Sequence, residues 1–155
     1  MANNFLFKKA PKLAAIIDPK LPFIEIAVFL IVITAELSKE SNKELSKIFI
    51  LISISFLSIL YYINAFRIDN ENMSIYKDFL TRLVGFTNAI CVVGLIFLIN
   101  HYNGGNQMIV IGIITQLAIL VFTFGLKYFK KGDALRRVDI VRSIVLILLI
   151  GSMYY

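Results

Sequence analysis

One cysteine, one histidine and a charged content of only 17% leave little material for a reactive site. Cys91 falls in an apolar block with no partner in the chain for a disulfide, so it reads as a small core hydrophobe. His101 is equally alone, and one His with one Cys cannot build a zinc site or a paired-histidine haem site within one chain. There is no paired-carboxylate or Ser/His/Asp constellation, no HExxH and no glycine-rich phosphate loop. These absences predict no catalytic residue, no metal and no cofactor, and so no enzyme.

What is present is apolar. Hydrophobic residues make up 59% of the 155, whereas soluble domains run near half apolar and about a quarter charged. The excess comes in blocks at 22–37, 47–66, 79–101, 107–129 and 138–153. At about 1.5 Å per residue each block is close to the length that crosses a hydrocarbon core of about 30 Å. The expected fold is therefore all-α: a polytopic integral membrane bundle of five transmembrane helices at 22–155, preceded by a basic interfacial segment at 1–21. In that segment Phe5, Leu6 and Phe7 suit the acyl boundary and the lysines suit anionic headgroups. It does not read as a secretory leader, because Pro22 and Glu25 interrupt the apolar run and Ile33 stands two before Ala35, where a small residue is needed. Asn103-Gly104-Gly105-Asn106 predicts a tight hairpin between the third and fourth spans.

Lysine and arginine set the expected orientation, since cytoplasmic loops keep an excess of positive charge. With the N-terminus inside, Lys8, Lys9, Lys12, Lys20, Arg67, Lys77, Arg82, Lys127, Lys130, Lys131, Arg136, Arg137 and Arg142 lie inside, thirteen of the sixteen; Lys39, Lys43 and Lys47 lie outside. If the first block did not cross, the split would be nine against seven. The C-terminus is then expected outside, with Tyr102, Tyr154 and Tyr155 in an outer aromatic belt and Tyr61, Tyr62 and Tyr128 in an inner one. The same bias accounts for the net charge of +6, so no nucleic-acid partner is expected.

A few polar residues fall within the spans. Glu25 and Glu36 share one helical stripe, roughly 16 Å apart along the axis, each near its own boundary, where a charge costs less than at mid-bilayer. Glu25, Arg82, Asp139 and Arg142 fall in one inner layer and are expected to form an ion-pair cluster, Glu25 with Arg82 and Asp139 with Arg142. Glu36 can meet Lys39, Lys47 or His101. Thr81, Gly85 and Asn88 line one helix and Gly112, Gln116 and Thr123 the next, so the Asn88 and Gln116 amides are expected to bond across a close small-residue contact near mid-depth. Ser55, Ser58 and Tyr62 make a weaker stripe whose hydroxyls are expected to bond the carbonyl one turn back.

KKGDALRR differs in residue order from the Asp-Gly-x-x-Ala-Arg start of phospholipid head-group transferases, and only Asp139 follows it, which excludes that chemistry. The expected role is a non-catalytic protein of the cell inner membrane, a structural or accessory subunit of a larger complex or a homo-oligomer. Its partners are the lipid bilayer and other membrane subunits or further copies of itself. The Ile-, Lys- and Asn-rich composition and short loops suggest a bacterial type. Two alternatives stand beside it: a small oligomeric channel or ion-coupled transporter using Glu25 or Glu36 with Asn88 and Gln116, and a membrane effector of a stress or defence pathway.

Overall fold

Acids and a cap ahead of two of the apolar blocks decide where their helices start. The computed structural model describes residues 3–68, 75–128 and 135–153, and all regular structure among them is helical. α1 (Asn3–Ile17) passes through a 3-10 turn (Asp18–Lys20) into α2 (Leu21–Leu37); α3 (Lys43–Asn64), α4 (Ile75–Ile99), α5 (Gly105–Tyr128) and α6 (Arg137–Met153) follow. The expected placements of Tyr154, Tyr155, Lys130 and Lys131 lie outside the described residues, as do the side chains of Phe5, Leu6 and Phe7.

Two helices start a turn earlier than hydrophobicity alone predicts. Asn42 caps α3, its Oδ1 accepting from the Leu45 N–H at 3.1 Å, and Glu44 occupies the first turn. Asp78 does the same for α4. Both acids favour the positive end of the helix dipole, so the apolar run is extended by polar residues. The N-terminal segment, expected as a short interfacial piece, is a 15-residue helix with Pro11 inside it, and it packs on α3. Pro19 and Pro22 stand at the first positions of the 3-10 turn and of α2, where no helical N–H is lost.

The expected hairpin between α4 and α5 is present, but His101 begins it. The Tyr102 N–H donates to the Phe97 carbonyl at 2.8 Å and the His101 N–H to the Leu98 carbonyl at 3.0 Å, the paired bonds of a Schellman stop. His101 takes the left-handed position, φ 56°, and Gly104 follows at φ 92°. His101 therefore has a backbone role, in a conformation that costs an L-residue about 1–2 kcal/mol.

α4 is the central helix, with α3 and α5 as its main neighbours; α2 lies on α3, and α6 rests against α4 and α5. Glycines set the closest approaches. A Cβ on Gly85 would stand 2.6 Å from the Ala65 Cα, and one on Gly94 2.8 Å from Ile109 Cγ1; on Gly112 it would run into the Cys91 sulfur. Leu21, Ala35, Ile50, Ile54, Leu60, Ala89, Val92 and Leu146 form the main apolar core, drawn from α2, α3, α4 and α6.

Among the described residues three helices, α3, α4 and α5, are long and apolar enough to cross a membrane. Their 22, 25 and 24 residues reach roughly 33–38 Å. The outward surface agrees: on α5 alone Ile111, Ile114, Leu117, Val121, Phe122 and Phe124 are exposed, more contiguous apolar surface than water tolerates.

Gly85→Val is expected to lower stability in mild detergent by at least about 2 kcal/mol, since backbone rather than a flexible side chain blocks it. A Cβ added at Gly125 would meet nothing within 4 Å, so this position should accept alanine and gain up to about 1 kcal/mol of helix propensity. Thermal unfolding followed by circular dichroism checks both; equal effects would contradict the packing described.

Candidate functional site

The polar residues that the bundle gathers lie at one end, where α2 and α6 begin and α3 ends. Arg136, just ahead of α6, and Asp139 and Arg142 within its first turns stand at three-residue spacing, so the three come to one side. Asp139 also sits in the first turn, where the helix dipole favours a carboxylate. Its oxygens accept from three guanidiniums. Arg67 donates from Nη2 at 2.8 Å and Nη1 at 3.3 Å, Arg142 from Nη1 at 3.1 Å and Arg136 from Nε at 3.3 Å.

The network extends both ways from this hub. Toward the N-terminal elbow, Asp18 receives Arg136 Nη1 and Nη2 at 2.7 and 2.6 Å and Arg67 Nη1 at 3.0 Å. Toward the interior, Arg142 bonds Glu25 through Nε and, at 3.4 Å, through Nη2. Tyr61 donates its hydroxyl to the same Glu25 carboxylate at 2.8 Å, and the Arg142 guanidinium lies 5.8 Å from the Tyr61 ring centre. Three carboxylates thus meet three guanidiniums, with side chains of Arg67, Asp139 and Arg142 at most 4% exposed. Burial of such charges is tolerable because each is paired and further hydrogen-bonded.

Sequence reasoning placed Glu25, Asp139 and Arg142 in this layer, and the Asp139–Arg142 pair is present. The expected Glu25–Arg82 pair is absent: Arg82 turns to Asp78, one turn back on its own helix, at 2.9 Å and about 40% exposed. A local partner in water wins over one across the bundle, and Arg142 already occupies Glu25. Glu36 likewise pairs locally, with Lys39 at 2.6 Å on the surface. Tyr61, expected in an aromatic belt, is 3% exposed. Asp18, Arg67 and Arg136 were not singled out. The i, i+3 ladder Arg136–Asp139–Arg142 was the signal available for Arg136; nothing local marks Arg67 or Asp18 as partners.

A second polar contact joins α4 and α5, where Gln116 Nε2 donates to Asn88 Oδ1 at 2.6 Å with both side chains buried. Gln116 Oε1, Thr123 Oγ1 and Asn64 Oδ1 are buried without a protein partner among the described residues. Ser58 does not bond one turn back but crosses to the Ala89 carbonyl of α4 at 3.3 Å. A separate cleft of about 570 Å³ between α4 and α5 is lined by Phe79, Leu83, Ile119 and Phe122, and its Thr115 hydroxyl is already bonded to the Ile111 carbonyl. None of its lining residues belongs to the ion network. Among the described residues no group of three or more His, Cys, Asp or Glu is placed to hold a metal ion.

Comparison with known proteins finds no match: no family model, no curated protein and no solved structure matches this chain.

Asp18 and Arg136 lie ahead of the apolar blocks, and each shifts the other. Burial raises the Asp18 carboxyl, but the Arg136 hydrogen bonds and the nearby Arg67 charge outweigh it and hold the group below its ordinary 3.8. The Asp18 bonds push Arg136 further up, so it stays charged at any working pH. A carboxyl lowered on folding stabilises the fold above its unfolded pKa, and that contribution is lost as pH falls through the folded value. The chain is therefore expected to lose more stability than Asp18→Asn as pH falls below about 4, read as thermal midpoints in detergent. Parallel curves would contradict the pairing.

Asp139→Asn is expected to cost about 3–5 kcal/mol, because it strands buried arginines. Asp78→Asn, in an exposed pair, should cost under about 1 kcal/mol. Chemical unfolding in detergent separates them.

Proposed function

We propose that this is a non-catalytic, multi-pass protein of the cytoplasmic membrane, with five spans, its N-terminus inside and its C-terminus outside, acting as a structural or accessory subunit of a larger assembly or of a homo-oligomer. α2 and α6 supply the two further spans: at 17 residues each they reach roughly 26 Å, the short end of what crosses a bilayer. The thirteen-to-three charge bias supports the orientation, since Arg67, Arg136 and Arg142 all sit at the end that it assigns to the cytoplasm.

The observation that carries the non-catalytic reading is mutual pairing. Among the described residues three carboxylates and three guanidiniums pair with one another, an arrangement suited to clamping helices rather than to attacking a substrate. The outward faces of α2 and α5, by contrast, are broad and apolar, suited to lipid and to neighbouring subunits. The channel reading draws on a different observation, the buried oxygens of Asn64, Gln116 and Thr123 that lack protein partners among the described residues, which would line a polar path.

Extraction in mild detergent tests the subunit reading through the mass of the intact particle. A mixed assembly or a ring is expected. A lone chain that passes ions after reconstitution, with flux abolished in Glu25→Gln, would favour the channel instead. Reporters fused to the two termini are expected on opposite sides of the membrane; both on one side would refute the five-span arrangement.

A further inference from the structure

Asp18 is the acid of the network carried by the N-terminal elbow. It stands in the 3-10 turn between α1 and α2, with Pro19 behind it. Arg136 grips it with both Nη atoms and Arg67 with one, at 2.6 to 3.0 Å. A guanidinium fork with a second guanidinium converging on the same pair of oxygens is the donor arrangement that suits phosphate. Arg136 is the most exposed arginine of the network at 35%, Asp18 stands at 16%, and Arg67 lies beneath them at 4%.

The segment that brings Asp18 to its arginines is otherwise cationic. Asp18 is the first acid in the chain, and Lys8, Lys9, Lys12 and Lys20 surround it in sequence. Lys12 and Lys20 are exposed. An anionic surface attracts such a segment by about 1 kcal/mol per basic residue, and the Asp18 carboxylate is the single charge that opposes the attraction while fastening the elbow to α3 and α6.

We propose that Arg67 and Arg136 form a phosphate-binding site which Asp18 fills from within the chain, and that the phosphate of an anionic phospholipid headgroup takes its place. The exchange conserves charge. A phosphodiester carries one negative charge, as the carboxylate does, so the charge supplied to these guanidiniums is unchanged, and Asp139 keeps its three donors. What is released is Asp18 and with it α1, whose lysines then meet the lipid surface. The inference rests on the membrane reading but not on which compartment this end faces.

The test uses the full chain in mild detergent, titrated with phosphatidylglycerol or phosphatidylcholine and followed by native mass spectrometry. The unaltered chain is expected to prefer phosphatidylglycerol. Asp18→Asn, which removes the internal competitor, should bind it about tenfold more tightly, and Arg136→Gln about tenfold more weakly. A purely structural ion pair predicts that both variants weaken binding or leave it unchanged, and that result would overturn the proposal. Should Asp18→Asn fail to fold, a second measurement decides: spin labels on Ala15→Cys in α1 and Ile59→Cys in α3, in a Cys91→Ser background with Asp18 intact. Their separation should lengthen in phosphatidylglycerol vesicles relative to phosphatidylcholine; an unchanged distance contradicts the exchange. Both leaflets of these vesicles are alike, so orientation does not affect the outcome. If inorganic phosphate alone lengthens the distance in detergent, the phosphate site stands with a free anion as ligand. Distances that respond to neither source reject it.

Discussion

A single carboxylate, that of Asp139, accepts hydrogen bonds from Arg67, Arg136 and Arg142, and the arrangement of the helices at that end of the molecule follows from it. Three guanidiniums around one acid need further anions, and the chain supplies them from two places, Asp18 at the N-terminal elbow and Glu25 on α2. The result links the start of the described chain to α3 and to the last helix. None of these segments is adjacent in sequence, so the charges fasten together ends that chain connectivity alone does not bring into contact. A buried ion cluster is weak evidence for net stability, because desolvation offsets much of the attraction. What it does here is join the elbow, α2 and α6 to the end of α3.

Packing in the middle of the bundle depends on a different device. Gly85 against Ala65, and Gly94 and Gly112 against Ile109 and Cys91, bring α3, α4 and α5 to near backbone contact. In lipid, where apolar side chains gain nothing by leaving the solvent, such close approaches and the Asn88–Gln116 bond are what hold helices together. The charge layer then orders one end and the small-residue seams order the rest.

Much of this was legible from the residues. Block lengths and flanking turns located the five apolar helices to within about four residues at either end, because hydrophobic runs near the length of a bilayer have few other solutions; α1, 15 residues long, was expected only as a short interfacial piece. The Asn88–Gln116 contact was legible because a tight hairpin makes depth on α4 predict depth on α5. The ion network was only half legible. Equal depth brought Glu25, Asp139 and Arg142 into one layer, but depth says nothing of azimuth, and Arg82 points away from Glu25 toward its own helix neighbour Asp78. Arg67 and Asp18 were obscured for another reason: both lie in irregular or 3-10 segments, which composition reads as solvated turns. Tyr61 and Tyr62 show the same limit, since adjacent residues on a helix point about 100° apart and only one of the two reaches the network.

The central claim is that Glu25 and Arg142 are energetically coupled across the bundle, as members of one cluster. A double-mutant cycle of Glu25→Gln and Arg142→Gln, read as unfolding free energies in one detergent, tests it most directly. A coupling of at least about 1 kcal/mol is expected for this pair, with strict additivity for Glu25→Gln with Arg82→Gln. Additivity between Glu25 and Arg142, or a coupling as large with Arg82, would contradict it.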